Sequence, residues 1–315
     1  MSQAASRDWR LAVAVCVAAG AARLLIGALT PLFPDETYYW EWSRRLAAGY
    51  FDHPPIIAWL IAGGTWLFGA TPIGVRFLPV VAGALGTLFI AAAARRIGGE
   101  CAARVAARAP AGMRGCPPCD FAVPRAVMPW SGAGLVLATP DAPPLAAVAA
   151  VVLGIALALE QSPGSRESLR WWCVTGVALG LALASKYTAV LLPVGVFVAF
   201  ALKQELRPRL REAGPYAATA IALLVFSPVI YWNATHDWAS FAFQLQHGLA
   251  PVGGSILKRE LDLLGGQLGL VTPILFVMSA IAVARAARLP SGANPAFAIA
   301  HVWLGFAGGD VGSTR

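Results

Sequence analysis

Between Pro34 and Pro55 the chain reads PDETYYWEWSRRLAAGYFDHPP, with Asp35 and Glu36 near one end and Asp52-His53 near the other. A further acid, Asp141, stands in ATPDAPP, and Lys186 interrupts a long apolar run in SKYTA. A positioned carboxylate can take the proton of an attacking hydroxyl. A lysine ammonium can hold a phosphate oxygen as a point charge. Both at one membrane face could transfer a group from a lipid phosphate, although spacing alone does not say which group. Each residue also has a plainer reading. Asp35 and Glu36 could cap a helix and charge its first turn. Asp52 could be a turn residue, His53 an interfacial one, and Lys186 a snorkelling lysine.

The elements that carry these residues decide between the readings. The chain has 315 residues, 58% hydrophobic and 13% charged, with a mean hydropathy of +0.65. A soluble protein of this length needs more polar surface. The composition therefore implies an all-α polytopic membrane protein, in which charge is costly and usually marks function. A formal charge of +8 would suit nucleic acid, but the arginines cluster in short segments between apolar runs, which fits membrane orientation. No nucleic-acid module is visible. Cys16 and Cys173 sit in apolar runs as packing residues, whereas Cys116 and Cys119 form CPPC. No second pair or histidine cluster completes a zinc site around it, and no thioredoxin-like context surrounds it. Asn233-Ala234-Thr235 is a formal glycosylation sequon of no evident use here.

Candidate spans are 11–30, 73–94, 143–159, 171–202, 214–232 and 266–286, with another beginning near 295. The first follows Arg7 and Arg10 without a convincing cleavage site, so it reads as an uncleaved helix. The 171–202 run is too long for one upright helix and carries Lys186 near its middle. Two short helices meeting at Lys186 would bring the ammonium to one face. Basic ends at Arg7/Arg10, Arg95/Arg96, Arg166/Arg170, Lys203–Arg211 and Arg285/Arg288 belong in the cytoplasm by the positive-inside bias. Asp35, Lys186, His236 and Asp237 then fall outside. Asp141 joins them only if the chain crosses once between Arg96 and Asp141.

That crossing is irregular. CAARVAARAPAGMRGCPPCDFAVPRAVMPW is rich in arginine and proline and makes a poor lipid-facing helix. Either it is a cytoplasmic loop, which would invert Asp141, or the segment 101–130 departs from its ancestral reading frame. Arg/Pro/Gly/Ala/Cys enrichment is what a shifted frame of a GC-rich gene produces. Near the end, GGDVGSTR stops an apolar run that starts at Asn294, which predicts a C-terminally truncated chain. The expected organisation is a single transmembrane domain over 1–306 and a short polar tail over 307–315. Its first external loop covers 31–72. There Pro34 starts an interfacial helix over Asp35–Leu46, Gly49 ends it, and Ile56–Phe68 forms a short re-entrant or interfacial helix.

PDETYYWEWSRRLAAGYFDHPPIIAWL, LATPDAPP and GLALASKYTAVLLP, continuing through SPVIYWNATHDWASFAFQLQHG, resemble the bacterial protein-mannosyltransferase-like superfamily, which includes the aminoarabinose transferase of lipid A. The resemblance covers roughly residues 10–98 and 133–286. It implies a GT-C-type glycosyltransferase helical bundle with its active site facing the periplasm or exterior. It also implies a sugar donor carried on a polyprenyl phosphate, and inversion at the anomeric carbon. By the same resemblance, Asp35 is the catalytic aspartate, Glu36 its acidic neighbour and Asp141 the second recurrent acid. Lys186, with His53 or Arg76, would hold the donor phosphate. Asp52, His236 and Asp237 would line the acceptor path. The aminoarabinose branch has a Glu-Lys-Pro element where this chain has Asp52-His53-Pro54, which points to another subgroup.

A divalent metal near Asp35 and Asp141 is compatible with the acids, but no ligand spacing demands one. No nucleotide or other cofactor motif is present. The implied partners are membrane lipids, the polyprenyl-phosphate sugar and an acceptor that is a glycan, lipid or protein, with no nucleic acid. The competing readings are an inactive, frame-altered or truncated relative, and a transporter or flippase of lipid-linked sugars. Small-residue patterns of the GxxxG kind are helix-packing signals.

Overall fold

The structure is a computed structural model that describes residues 3–107, 138, 141–202, 204–249 and 261. All regular structure among these residues is helical. The α-helices are α1 (Gln3–Leu29), α2 (Pro34–Ser43), α3 (Ile56–Phe68), α4 (Pro72–Ala107), α5 (Ala142–Glu160), α6 (Arg166–Leu183), α7 (Leu191–Leu202), α8 (Ala213–Thr235) and α9 (Ala239–Leu249). Short 3₁₀ turns at Tyr187–Val190 and Arg207–Arg211 join them.

Among the described residues, three stretches are long and apolar enough to cross a membrane: Pro72–Ala93, Ala142–Glu160 and Ala213–Thr235. Cys16–Leu29 followed by Pro34–Ser43 passes the same test only as a pair bent by 95°. The bend turns α2 away from the direction of α1, as an interfacial helix requires. Helix α2 stops at Ser43, short of the expected Leu46, with Arg44 as its C-cap. Helix α3 has 13 residues, a rise of about 20 Å, too short for the hydrocarbon core. The 171–202 run breaks where Lys186 predicts. Helix α6 ends at Leu183, and Lys186 adopts extended backbone before α7. The ring of Trp172, early in α6, lies 6.2 Å from that of Phe200, late in α7, so the two form a hairpin. The start of α6 is five residues earlier than the apolar run suggests: Ser165 Oγ accepts from Ser168 N at 3.1 Å and caps it. The expected spans at 266–286 and from 295 lie outside the described residues.

Side-chain contacts fix the helix directions. Arg76 bonds the Thr30 carbonyl and Gly20 lies against Ala84, so α1 and α4 are antiparallel. Gly86 lies against Ala146, and Arg96 pairs with Glu160 at 2.5 Å, so α4 and α5 are parallel. Ser168 Oγ donates to the Ala158 carbonyl, so α6 returns antiparallel to α5. Helix α8 runs parallel to α6, with Gly176 against Ala218 and Gly180 against Ala222. A Cβ on Gly176 would sit 2.5 Å from the Ala218 carbonyl oxygen. The sequence GVALG thus lets two backbones meet, as GxxxG patterns do in membranes.

This topology makes two faces. One gathers the end of α1, the starts of α4 and α5, and the ends of α6 and α8. The other gathers Arg96, Glu160, Arg166, Arg170 and Arg207–Arg211. Arg96 and Asp141 lie on opposite faces, as the placing of Asp141 beside Asp35 requires. Residues 101–107 continue α4 as helix; the rest of the irregular interval, 108–130, lies outside the described residues. The buried core packs Val151 and Ile155 of α5, Leu179 of α6, Leu192 and Phe200 of α7, and Phe226 and Val229 of α8. Leu223, Leu224, Val194 and Phe197 point outward on the same helices, the apolar exterior expected of a bundle in lipid.

Candidate active site

Pro34 fits the first helical position of α2, where a missing N–H costs nothing. Phe33 at the cap has no polar side chain, and Glu36 supplies the missing acceptor: its Oε2 takes the Phe33 N–H at 3.0 Å. The first-turn reading of Glu36 is therefore part of the answer. Glu36, expected with Asp35 and Asp141 in the catalytic acid set, is 0% exposed. Its Oε1 accepts from Arg76 Nε at 2.7 Å and from Ala138 N at 2.8 Å, and its Oε2 also accepts from Arg76 Nη2 at 2.5 Å. Arg76, expected at the donor phosphate, is likewise fully buried. Its Nη1 bonds the Gly27 and Thr30 carbonyls and Thr30 Oγ1, and its Nη2 also bonds the Pro31 carbonyl. A guanidinium so engaged has no donor left for a phosphate. Burial of this pair is tolerable because each polar atom is matched.

The neighbouring residue faces the other way, since successive residues on a helix turn by about 100°. Asp35 is exposed, and one turn on Tyr39 is buried beneath it. Burial, then Asp52, Asp35 and Asp141, push the Tyr39 phenol well above its ordinary range, so it stays a proton donor. Tyr38 OH donates to Asp52 Oδ2 at 3.2 Å. Asp52 Oδ1 is buried with no hydrogen-bond partner among the described residues. The Asp52 carbonyl takes a bond from Gln244 of α9, and Phe51 packs on Phe243 at 5.0 Å, so α9 pins this turn. His53 stands beside the rings of Tyr39 and Trp42. Burial lowers its pKa, Asp52 pulls it back up, Lys186 lowers it further and Asp141 raises it.

Lys186 Nζ pairs with Asp141 Oδ1 at 3.3 Å, with side chains 35% and 60% exposed. Such a wet pair adds little to stability, which leaves both groups accessible to a ligand. Asp141 is the N-cap residue of α5 but makes no side-chain capping bond, and Pro143 and Pro144 open the helix behind it. Two helix ends, the start of α5 and the end of α6, thus deliver this acid and base to the face that carries Asp35. His236 and Asp237 end α8 and are exposed. His236 stacks on Trp232 at 4.2 Å and bonds its carbonyl through Nδ1. Asp237 and Trp238 both take positive φ, 53° and 57°.

Among the described residues no three or more His, Cys, Asp or Glu side chains gather as a metal-ligand group. The arrangement offers an exposed carboxylate, an accessible ammonium already next to a second carboxylate, and a largely neutral imidazole. These can accept a proton, hold an anion and donate a hydrogen bond, respectively. Sequence reasoning gave neither Tyr38 nor Tyr39 a role in the site. The spacing of Asp35 and Tyr39, four apart on one helix, was the available signal.

The family model described as dolichyl-phosphate-mannose-protein mannosyltransferase matches residues 52–115 and 122–232. The match runs into the irregular interval from both sides and leaves out only 116–121 between its parts. The lipid A galacturonosyltransferase RgtD of Rhizobium johnstonii is 29% identical over 271 residues, covering 82% of this chain and 50% of that protein. An undecaprenyl phosphate-alpha-4-amino-4-deoxy-L-arabinose arabinosyl transferase of Pseudomonas paraeruginosa is 30% identical over 68% of this chain and 39% of its own length. The chain thus spans half or less of these relatives. The crystal structure of ArnT from Cupriavidus metallidurans bound to undecaprenyl phosphate superposes with a TM-score of 0.62 at 21% identity, covering 94% of this chain and 59% of that one. The fold is accordingly the GT-C type of ArnT. With the family model matched over more than half of its residues, the chain belongs to the dolichyl-phosphate-mannose-protein mannosyltransferase family.

Proposed function

We propose that the chain is a membrane glycosyltransferase that moves a sugar from a polyprenyl-phosphate donor to a hydroxyl acceptor at the external face, with inversion. The observation that carries this reading is the accessible Lys186–Asp141 pair on the face that presents Asp35. Asp35 accepts the acceptor's hydroxyl proton as that oxygen bonds to the anomeric carbon. The bond from the anomeric carbon to the phosphate oxygen breaks, and its electron pair leaves with the polyprenyl phosphate. Lys186 holds the charge that develops there, and His53 adds a hydrogen bond. Asp141 keeps the ammonium aimed. Glu36 and Arg76 take no part in contact with substrate. His236, Asp237 and Asp52 border the acceptor side. The names of the relatives support an undecaprenyl-phosphate donor and suggest lipid A as one acceptor to try.

The test uses membrane vesicles that contain the chain, with labelled undecaprenyl-phosphate sugars and lipid A, polysaccharide or protein acceptors. Label is expected to move to an acceptor. Asp35→Asn is expected to slow this by about 100-fold or more, the range of a lost general base. Transfer at the wild-type rate by Asp35→Asn would remove the base from the mechanism. No transfer from any donor would remove the activity.

A further inference from the structure

The buried pair does more than neutralise charge. Replacing an isolated buried ion pair by apolar residues is often neutral or stabilising, so stability alone does not account for Glu36 and Arg76. Their bonds show a different arrangement. Arg76 reaches the end of α1 through the Gly27, Thr30 and Pro31 carbonyls. Glu36 reaches back to Phe33 at the start of α2. Its remaining bond, to Ala138 N, crosses 102 residues of sequence. Ala138 is 0% exposed and stands three residues before Asp141. Asp35 is the residue immediately before Glu36. One carboxylate therefore carries Asp35 on its own backbone and grips the strand of chain that leads into Asp141.

We propose that Glu36, locked by Arg76, is a positioning residue that sets the gap between Asp35 and the Asp141–Lys186 pair. The meaning of that gap for catalysis rests on the glycosyl-transfer reading; the mechanical coupling does not. Glu36→Asp is the informative variant, since it keeps the charge and withdraws the carboxylate by one methylene. Glu36→Gln keeps the length and weakens the hold of Arg76. If Glu36→Gln does not accumulate, Glu36→Asp carries the test.

Two measurements on the full chain in nanodiscs decide it. The first is geometric. Spin labels are placed on the exposed Thr37 of α2 and the exposed Ser162 beyond α5, in a background without native cysteines. The distance distribution is expected to broaden or shift in Glu36→Asp. An unchanged distribution overturns the proposal. The second is a double-mutant cycle with Asp141→Asn, read as kcat and KM of transfer. Glu36→Asp alone is expected to lower kcat by about 10-fold or more, since small misplacements at a reacting centre are costly. In the Asp141→Asn background it is expected to lower kcat by less than about 2-fold, because coupled sites are not additive. Equal losses in both backgrounds mean that Glu36 acts through general stability, and also overturn the proposal. If the wild-type chain transfers no sugar, the functional reading fails and the spin-label result alone decides the positioning role.

Discussion

His53 feels the charges of Asp52, Asp141 and Lys186, and its titration is checkable. Its folded pKa is lowered, chiefly by burial. The unfolded chain therefore binds the extra proton. The contribution of His53 to stability is fully present above the ordinary histidine value, about 6.5, and is lost as the pH falls through the lowered folded value. The melting temperature of the solubilised protein is expected to drop on acidification below about pH 6.5, with a shallower drop in His53→Gln. Equal slopes for the two would mean that His53 does not titrate differently on folding. At this scale the sequence was partly legible. Asp35, Asp141 and Lys186 stood out because charge beside apolar runs is costly, and all three reach one face. Glu36 and Arg76 carry the same chemistry but are turned inward. Nothing in residue type separates Asp35 from Glu36; only the helix turn and a partner 40 residues away decide which one is buried.

At the scale of elements, the packing of α6 on α8 rests on the small residues of GVALG. Gly176→Leu is expected to cost about 3 kcal/mol, the upper part of the usual range for overpacking, because its first carbon would press on a backbone oxygen. Gly20→Ala is the contrast: among the described residues its Cβ would meet Ala84 alone, at 3.9 Å. That variant should stay within about 0.5 kcal/mol of wild type. Melting in detergent compares the two, and a similar loss for both would remove the special role of the GVALG face. The break at Lys186 was readable because a lysine in mid-span is expensive. The start of α6 was not, since Arg166 and Arg170 interrupt the apolar pattern while Ser165 caps the helix locally. The early stop of α2 at Ser43 was hidden for a similar reason. Tyr50 OH bonds the Trp42 and Arg45 carbonyls and ends the helix with a tertiary contact that no local pattern announces.

Among the described residues, Asp35, Asp52, Asp141 and Lys186 lie at one face, and Arg96, Arg166, Arg170 and Arg207–Arg211 lie at the other. We expect the arginine face to be cytoplasmic. Single cysteines at Thr37 and Arg207 in a cysteine-free chain would test this with a membrane-impermeant maleimide on intact cells. Thr37→Cys should label and Arg207→Cys should label only after lysis; the reverse pattern would invert the topology. The pattern of basic ends made this sorting legible, whereas the course of the chain between Arg96 and Asp141 was not, because its composition fits neither a span nor a plain loop. The bond from Glu36 to Ala138 has a bearing on biogenesis. A ribosome must add another 102 residues after Glu36 before the last partner of that carboxylate exists. Until then the carboxylate has Phe33 and Arg76 as partners but has nothing to hold the chain that leads into Asp141. Assembly of the acidic face therefore follows synthesis of Ala138 and cannot be completed by the first helices alone.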